Sequence, residues 1–179
     1  MSVRLTYLAR LAVLAAAALT LMGCATKIVV CPVPAILADT QSVTFFRPGT
    51  APDLANELYT VSLTDAQIDC VFNKTTSDVR SSLDLTFRAT RTPTSQAASY
   101  SVPYFLVVNQ VDKLYAKRLY TLQFTFAPGA ATAVITQAPQ VPDIHIRNGE
   151  LPWIYEMLTG FQMTSAQIAY AKTKSRYLP

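Results

Sequence analysis

The chain has 179 residues, 51% apolar and 15% charged, with 15 Lys and Arg against 11 Asp and Glu for a formal net charge of +4. Arg4 and Arg10 belong to the N-terminal segment described next; without them 13 cations face 11 acids, a net charge of about +2. So small an excess argues against nucleic acid as a partner, and 11 prolines with only 5 glycines predict many short elements joined by stiff connectors.

Residues 1–23 divide into the parts of an export signal. Arg4 and Arg10 supply a positive start, and Leu11 to Leu21 supply an uncharged apolar stretch, short of the roughly 20 residues that a bilayer span needs. The stretch closes on Leu21-Met22-Gly23-Cys24, which resembles a bacterial lipobox. The resemblance implies cleavage before Cys24 and acylation of its thiol and amine. The alternative is an uncleaved membrane helix with a chance cysteine. Two or more acyl chains hold a protein stably, at about 0.8 kcal/mol per buried methylene, so Cys24 is the expected lipid attachment. Ala25 rather than Asp follows it. In the sorting pattern of many Gram-negative bacteria that implies the outer membrane, with the body facing the periplasm.

Cys31 and Cys70 are the other two cysteines. In an oxidising periplasm they are expected to form a disulfide. A metal pair or a reactive thiol is the alternative, but neither cysteine has a neighbouring histidine or a C-x-x-C spacing. Residues 25–30 separate the lipid from Cys31 and reach about 20 Å when extended, which keeps the body close to the bilayer. Residues 24–40 are expected to be the lipidated cysteine and a short tether, and residues 41–179 a single β domain.

Along that domain, Gln41 to Arg47 reads as a strand ended by Pro48-Gly49, and Ala51 to Asn56 as a loop. Tyr59, Val61 and Leu63 share one face of a second run; Ile68, Cys70 and Phe72 share one face of a third. From Val79 to Ala89, Val79, Leu83, Leu85 and Phe87 alternate with polar residues, a period of two that no helix buries on one side. A polar loop (Thr90 to Ser99) precedes Tyr104 to Val111, an apolar run suited to a central strand. Asp112-Lys113 is the expected turn into Tyr115 to Phe126, where Tyr120, Leu122, Phe124 and Phe126 share a face. Pro128-Gly129 ends it, and shorter runs follow at Thr132 to Thr136, Ile144 to Arg147 and Ile154 to Met163. Eight or nine short strands predict an all-β fold, an antiparallel immunoglobulin-like β-sandwich, with a small closed barrel as the alternative.

One helix is expected, over residues 164–176. Thr164 and Gln167 have the spacing of a capping box, and Met163 and Ile168 that of a hydrophobic staple. Lys172, Lys174 and Arg176 then fall near its C-terminus, facing solvent or, across a short tether, anionic headgroups.

Cys31-Pro32-x-Pro34 followed by Ile36-Leu37-Ala38-Asp39, then Phe46-Arg47-Pro48-Gly49, Cys70, Pro103-Tyr104-Phe105 with Val107, and Gly160-Phe161-Gln162-Met163-Thr164 with Gln167 and Tyr170, form a pattern over most of the mature chain. It resembles an uncharacterised family of proteobacterial outer-membrane and envelope lipoproteins. Met163 stands where that pattern has Leu, and Ala171 where it has Asn, which loosens a helix cap. The resemblance implies fold and location and brings no catalytic positions.

The chemical inventory is thin. His145 is the only histidine, set between Ile144 and Ile146 with no carboxylate or nucleophile beside it in sequence. No G-x-S-x-G, H-E-x-x-H, phosphate-loop or dinucleotide pattern occurs, so no enzyme, cofactor or metal is expected. Asp65 and Asp69 are expected in solvent, and Asn73-Lys74-Thr75 as a turn. Trp153 is expected in the core rather than as an exposed anchor. Tyr100, Tyr104, Tyr115 and Tyr120 are expected as strand residues with wet hydroxyls, or as a binding face. The expectation is a non-enzymatic module that binds another envelope protein at a strand edge. The alternative is a β protein that binds a small molecule or lipid in a cavity.

Overall fold

The computed structural model describes residues 31–111, 113–147 and 149–175. The expected signal peptide and Cys24 lie outside the described residues.

Period-two alternation gives each long strand one apolar face, and two sheets bury those faces against each other. In chain order the strands are β1 (Val33–Ile36), β2 (Ser42–Phe46), β3 (Glu57–Asn73), β4 (Asp78–Thr90), β5 (Ala98–Gln110), β6 (Lys113–Phe126), β7 (Thr132–Gln137), β8 (Ile144–His145) and β9 (Tyr155–Phe161), before one helix, α1 (Ser165–Ser175). The first sheet has the order β1-β9-β5-β6; the second has β2-β3-β4-β7, with β8 also paired to β4. The β1–β9 pair is parallel and the remaining pairs are antiparallel. The chain is thus a β-sandwich and not a closed barrel. Its β2-β3-β4 meander and β5-β6 hairpin give a connectivity different from the A-B-E-D over C-F-G order of immunoglobulin constant domains.

The alternation from Val79 to Ala89 is the inward face of β4, where Val79, Leu83, Leu85, Phe87 and Ala89 are all buried. Between the sheets Phe87 meets Tyr104 and Phe161 edge-on or tilted at 5.3 and 5.9 Å, and Tyr59, Tyr100, Phe124 and Phe126 stack along the other end. These rings pack in the space between the two sheets.

Two expectations are corrected here. The runs around Tyr59–Leu63 and Ile68–Phe72 are one strand. Its pairing with β4 shifts between Leu63 and Asp65, and this single extra residue turns the core-facing positions from odd to even numbers. Residues 33–36, assigned to the tether, form β1 and pair in parallel with Val33 opposite Glu156 and Ile36 opposite Thr159. Four residues that include Pro34 are too short to show a period, and a parallel edge strand has no hairpin turn to announce it.

The Cys31–Cys70 disulfide is present, and it ties the start of β1 in one sheet to β3 in the other. The helix begins as its sequence predicts. Thr164 N–H donates to Gln167 Oε1 at 2.9 Å, and Gln167 N–H donates back to Thr164 Oγ1 at 3.3 Å. Gln167 Nε2 also donates to the Thr44 carbonyl, so α1 covers the outer edge of β2.

Candidate functional site

Pairings place the loops of this sandwich at two ends. One end gathers Cys31 and the start of β1, the β3–β4 turn, the β5–β6 turn, β8 and the start of β9. The links are explicit: Asn73 pairs with Asp78, Asp78 with His145, His145 N–H donates to Tyr115 Oη, and Tyr115 packs edge-on to Tyr155 at 5.6 Å. Tyr155 pairs with Gln110, and Val33 with Glu156. We call this the cysteine end. The opposite end holds α1, where Lys174 pairs with Glu57 and Tyr170 donates to the same carboxylate. Glu57 and Cys70 are separated by about 40 Å of strand. Lys172 and Lys174 of α1 are therefore at the other end of the sandwich from Cys31.

A second candidate surface is the outer edge of β6. This 14-residue strand ends its sheet. Its later half runs past β7 at the corner of the sandwich, where Tyr120 donates its hydroxyl proton to the Gln140 carbonyl. Its first half, Lys113 to Leu119, pairs with no strand on its outer side among the described residues and meets β8 where Tyr115 Oη accepts from His145 N–H. Leu119 is 64% exposed and lies opposite Phe105, which lies opposite Gly160, so an apolar row on the outer face stops at this edge. Lys117 sits 5.5 Å over the Phe105 ring, and Lys113 and Arg118 flank the same stretch.

The sequence leaves His145 without a carboxylate, and the structure supplies one: His145 Nδ1 lies 2.9 Å from Asp78 Oδ1. Hydrogen bonds from His145 and Thr76 hold the Asp78 carboxyl below the usual carboxylate range. Both side chains are open to solvent, 66% and 42% exposed, so the pair ties β8 to β4 on a surface rather than walling a cleft. Asp78 and His145 are 67 residues apart, and nothing local in the sequence joins them.

Two more expectations change. Trp153 is not core; it sits in a short 3-10 turn (Pro152–Ile154) and is 50% exposed. Tyr104 is fully buried, and its hydroxyl has no hydrogen-bond partner. Burial, with the neighbouring Tyr120, raises its pKa. Asn73 forms the expected turn, its Oδ1 accepting from the N–H groups of Thr75 and Thr76.

An open groove of about 450 Å³ lies between α1 and β2, lined by Asp39, Gln41, Thr44, Ile168 and Lys172. Among the described residues no three His, Cys, Asp or Glu side chains gather where a metal could sit, and no helix is long and apolar enough to cross a membrane. Comparison with protein-family models, with curated proteins and with solved structures finds no match to this chain.

Proposed function

We propose that this protein is an envelope lipoprotein, held by acylated Cys24 in the outer membrane and facing the periplasm, that works as a non-enzymatic binding or assembly module. Its partner is another envelope protein, and the docking surface is the free half of β6. The observation that carries this reading is the apolar row Gly160-Phe105-Leu119, which ends at an unpaired edge. A strand added beside β6 gains main-chain hydrogen bonds along Lys113 to Leu119 and places an apolar residue against Leu119. Lys113, Lys117 and Arg118 discourage self-pairing of two β6 edges and favour a partner strand with acidic residues between its apolar ones. Support from the rest of the molecule is consistent: apolar side chains pack between the two sheets, and the edge of β2 is already covered by α1.

A photo-activated crosslinking residue at position 119, used in intact cells with mass spectrometry of the products, tests the proposal. A single envelope protein should be captured from position 119 and not from position 54, an exposed site at the opposite end. Arg118→Glu with Lys117→Glu should abolish the capture. A co-purifying lipid with no protein adduct would instead favour the second reading, a small-molecule or lipid binder that uses the α1–β2 groove.

A further inference from the structure

Of the twelve large apolar side chains exposed among the described residues, seven stand at the cysteine end: Val33, Val71, Val111, Leu114, Tyr115, Leu151 and Trp153. They come from four separate loops or strand ends, so sequence proximity does not explain the gathering. Val111 adds a second observation. It occupies the β5–β6 turn with φ +52° and is 69% exposed. A β-branched residue is poorly suited to left-handed backbone, and glycine or asparagine fits that position without strain. A strained position that keeps an exposed valine calls for a use of the side chain. The loop carrying Leu151 and Trp153 is also held in place, because Gln110 Nε2 donates to Glu150 Oε2 at 2.8 Å and Tyr155 donates to the same oxygen.

We propose that the cysteine end lies in the headgroup layer of the leaflet that holds the Cys24 lipid, with Val111, Leu151 and Trp153 inserted. The inference rests on the lipid anchor proposed above and adds an orientation to it. Chain length supplies the argument for this occupant. Only residues 25–30 lie between Cys24 and Cys31, about 20 Å at full extension. The disulfide pins Cys31 to Cys70, three residues before the β3–β4 turn, so the residue that the tether joins lies at the apolar end. Tryptophan with aliphatic neighbours is the residue mixture of the membrane interface. Exposed Lys74 and Arg147 stand around it and can meet lipid phosphates. Among the described acids of this end, Asp78 is bonded to His145, Asp143 lies 3.9 Å from Arg80, and Glu150 accepts from Gln110 and Tyr155; Asp69 and Glu156 sit on β3 and β9. In this orientation β6 stands upright from the bilayer with its free edge open to the periplasm.

Trp153 is the only tryptophan of the chain and serves as the probe. Full-length protein purified from membranes is reconstituted into phosphatidylcholine–phosphatidylglycerol vesicles, with and without brominated lipids. Flotation reports the anchor, and quenching of Trp153 reports the orientation. The expected result is flotation, a blue-shifted emission, quenching by bromine on shallow chain positions and protection from aqueous iodide. Flotation with Trp153 open to iodide and untouched by bromine overturns the orientation and leaves the anchor standing. Failure to float removes the anchor, and this inference with it. The pair Trp153→Phe with Leu119→Trp moves the probe about 20 Å along β6 from the turn and should lose the bromine quenching; equal quenching from both positions overturns the proposal. Val111→Gly should raise the unfolding midpoint by relieving the turn while weakening the quenching of Trp153. Unchanged quenching in that variant removes Val111 from the inserted set.

Discussion

Cys31 and Cys70 are 39 residues apart, and their Cα atoms lie 5.6 Å from each other across the two sheets of the sandwich. The bridge closes a loop that contains β1, β2 and most of β3. In the chain-entropy description a loop of that length is worth about 4 kcal/mol of stability. Cys70→Ser or reduction should lower the unfolding free energy by about that much, measured by denaturant titration of the purified protein with and without reductant. Alkylation without reductant should label neither cysteine. Labelling of both would show that the bridge does not form.

Gly160 has a different constraint. A Cβ built on it falls 2.0 Å from Thr40 Oγ1, 2.9 Å from Thr40 Cβ and 3.2 Å from Phe105 Cζ. The chain that links β1 to β2 crosses the outer face of β9 there, and only a residue without a side chain admits it. Gly160→Ala should cost about 1–3 kcal/mol through overpacking. Thr40→Gly should recover much of the loss in the double variant, because the nearest clashing atoms leave with it. If the two changes add independently, the close approach is not the reason for glycine at this position.

The contrast between β4, β3 and β1 shows where the sequence speaks. β4 is central, long and two-faced, so Val79 to Ala89 alternates openly. In β3 both halves were visible, but the odd-to-even change at Thr64-Asp65 has the same signature as a turn between two strands. Only the pairing of Ala66 with Leu85 and of Leu63 with Phe87 separates a bulge from a turn. The capping box of α1 was legible because its hydrogen bonds span three residues. The Asp78–His145 bond, the cysteine end and the free half of β6 were not, because strand order decides them, and strand order depends on contacts far apart in the chain. Trp153 lies outside the core for a related reason. Whether an apolar residue beside a proline is core or rim depends on what another loop places over it.

The helix should detach before the sandwich unfolds. It is fixed to the second sheet by Gln167 to the Thr44 carbonyl, by Phe46 against Tyr170 at 4.9 Å, and by Glu57 with Lys174 and Tyr170. Thr164→Ala removes the N-cap oxygen and should cost about 1 kcal/mol, confined to α1. Hydrogen exchange of residues 165–175 should then speed up while β4 and β5 amides keep their protection. Equal acceleration throughout the molecule would mean that α1 is part of one cooperative unit with the sheets.

Tyrosines whose protons the fold holds tightly set the alkaline limit. Tyr59 is pushed up to about 12 by burial and by Tyr100, Tyr170 to about 12 by burial and by Glu57, and Tyr104 is raised by burial and by Tyr120. In each case the folded state holds the proton more tightly than the unfolded chain, whose tyrosines ionise near 10. The stability they contribute is therefore complete below pH 10 and is lost as pH rises from 10 toward 12 and beyond. Melting temperature should stay level with respect to these groups up to pH 10 and then fall, with tyrosinate absorbance appearing late for the buried rings. Tyr104→Phe tests the sign twice. It deletes a buried hydroxyl that has no partner, so stability at neutral pH should rise by about 1 kcal/mol. It also removes one of the protons lost in alkali, so the decline above pH 10 should be shallower. A variant that is less stable at neutral pH would show that the hydroxyl has a bonding partner in solution, and a decline as steep as in the parent would show that Tyr104 takes no part in the alkaline transition.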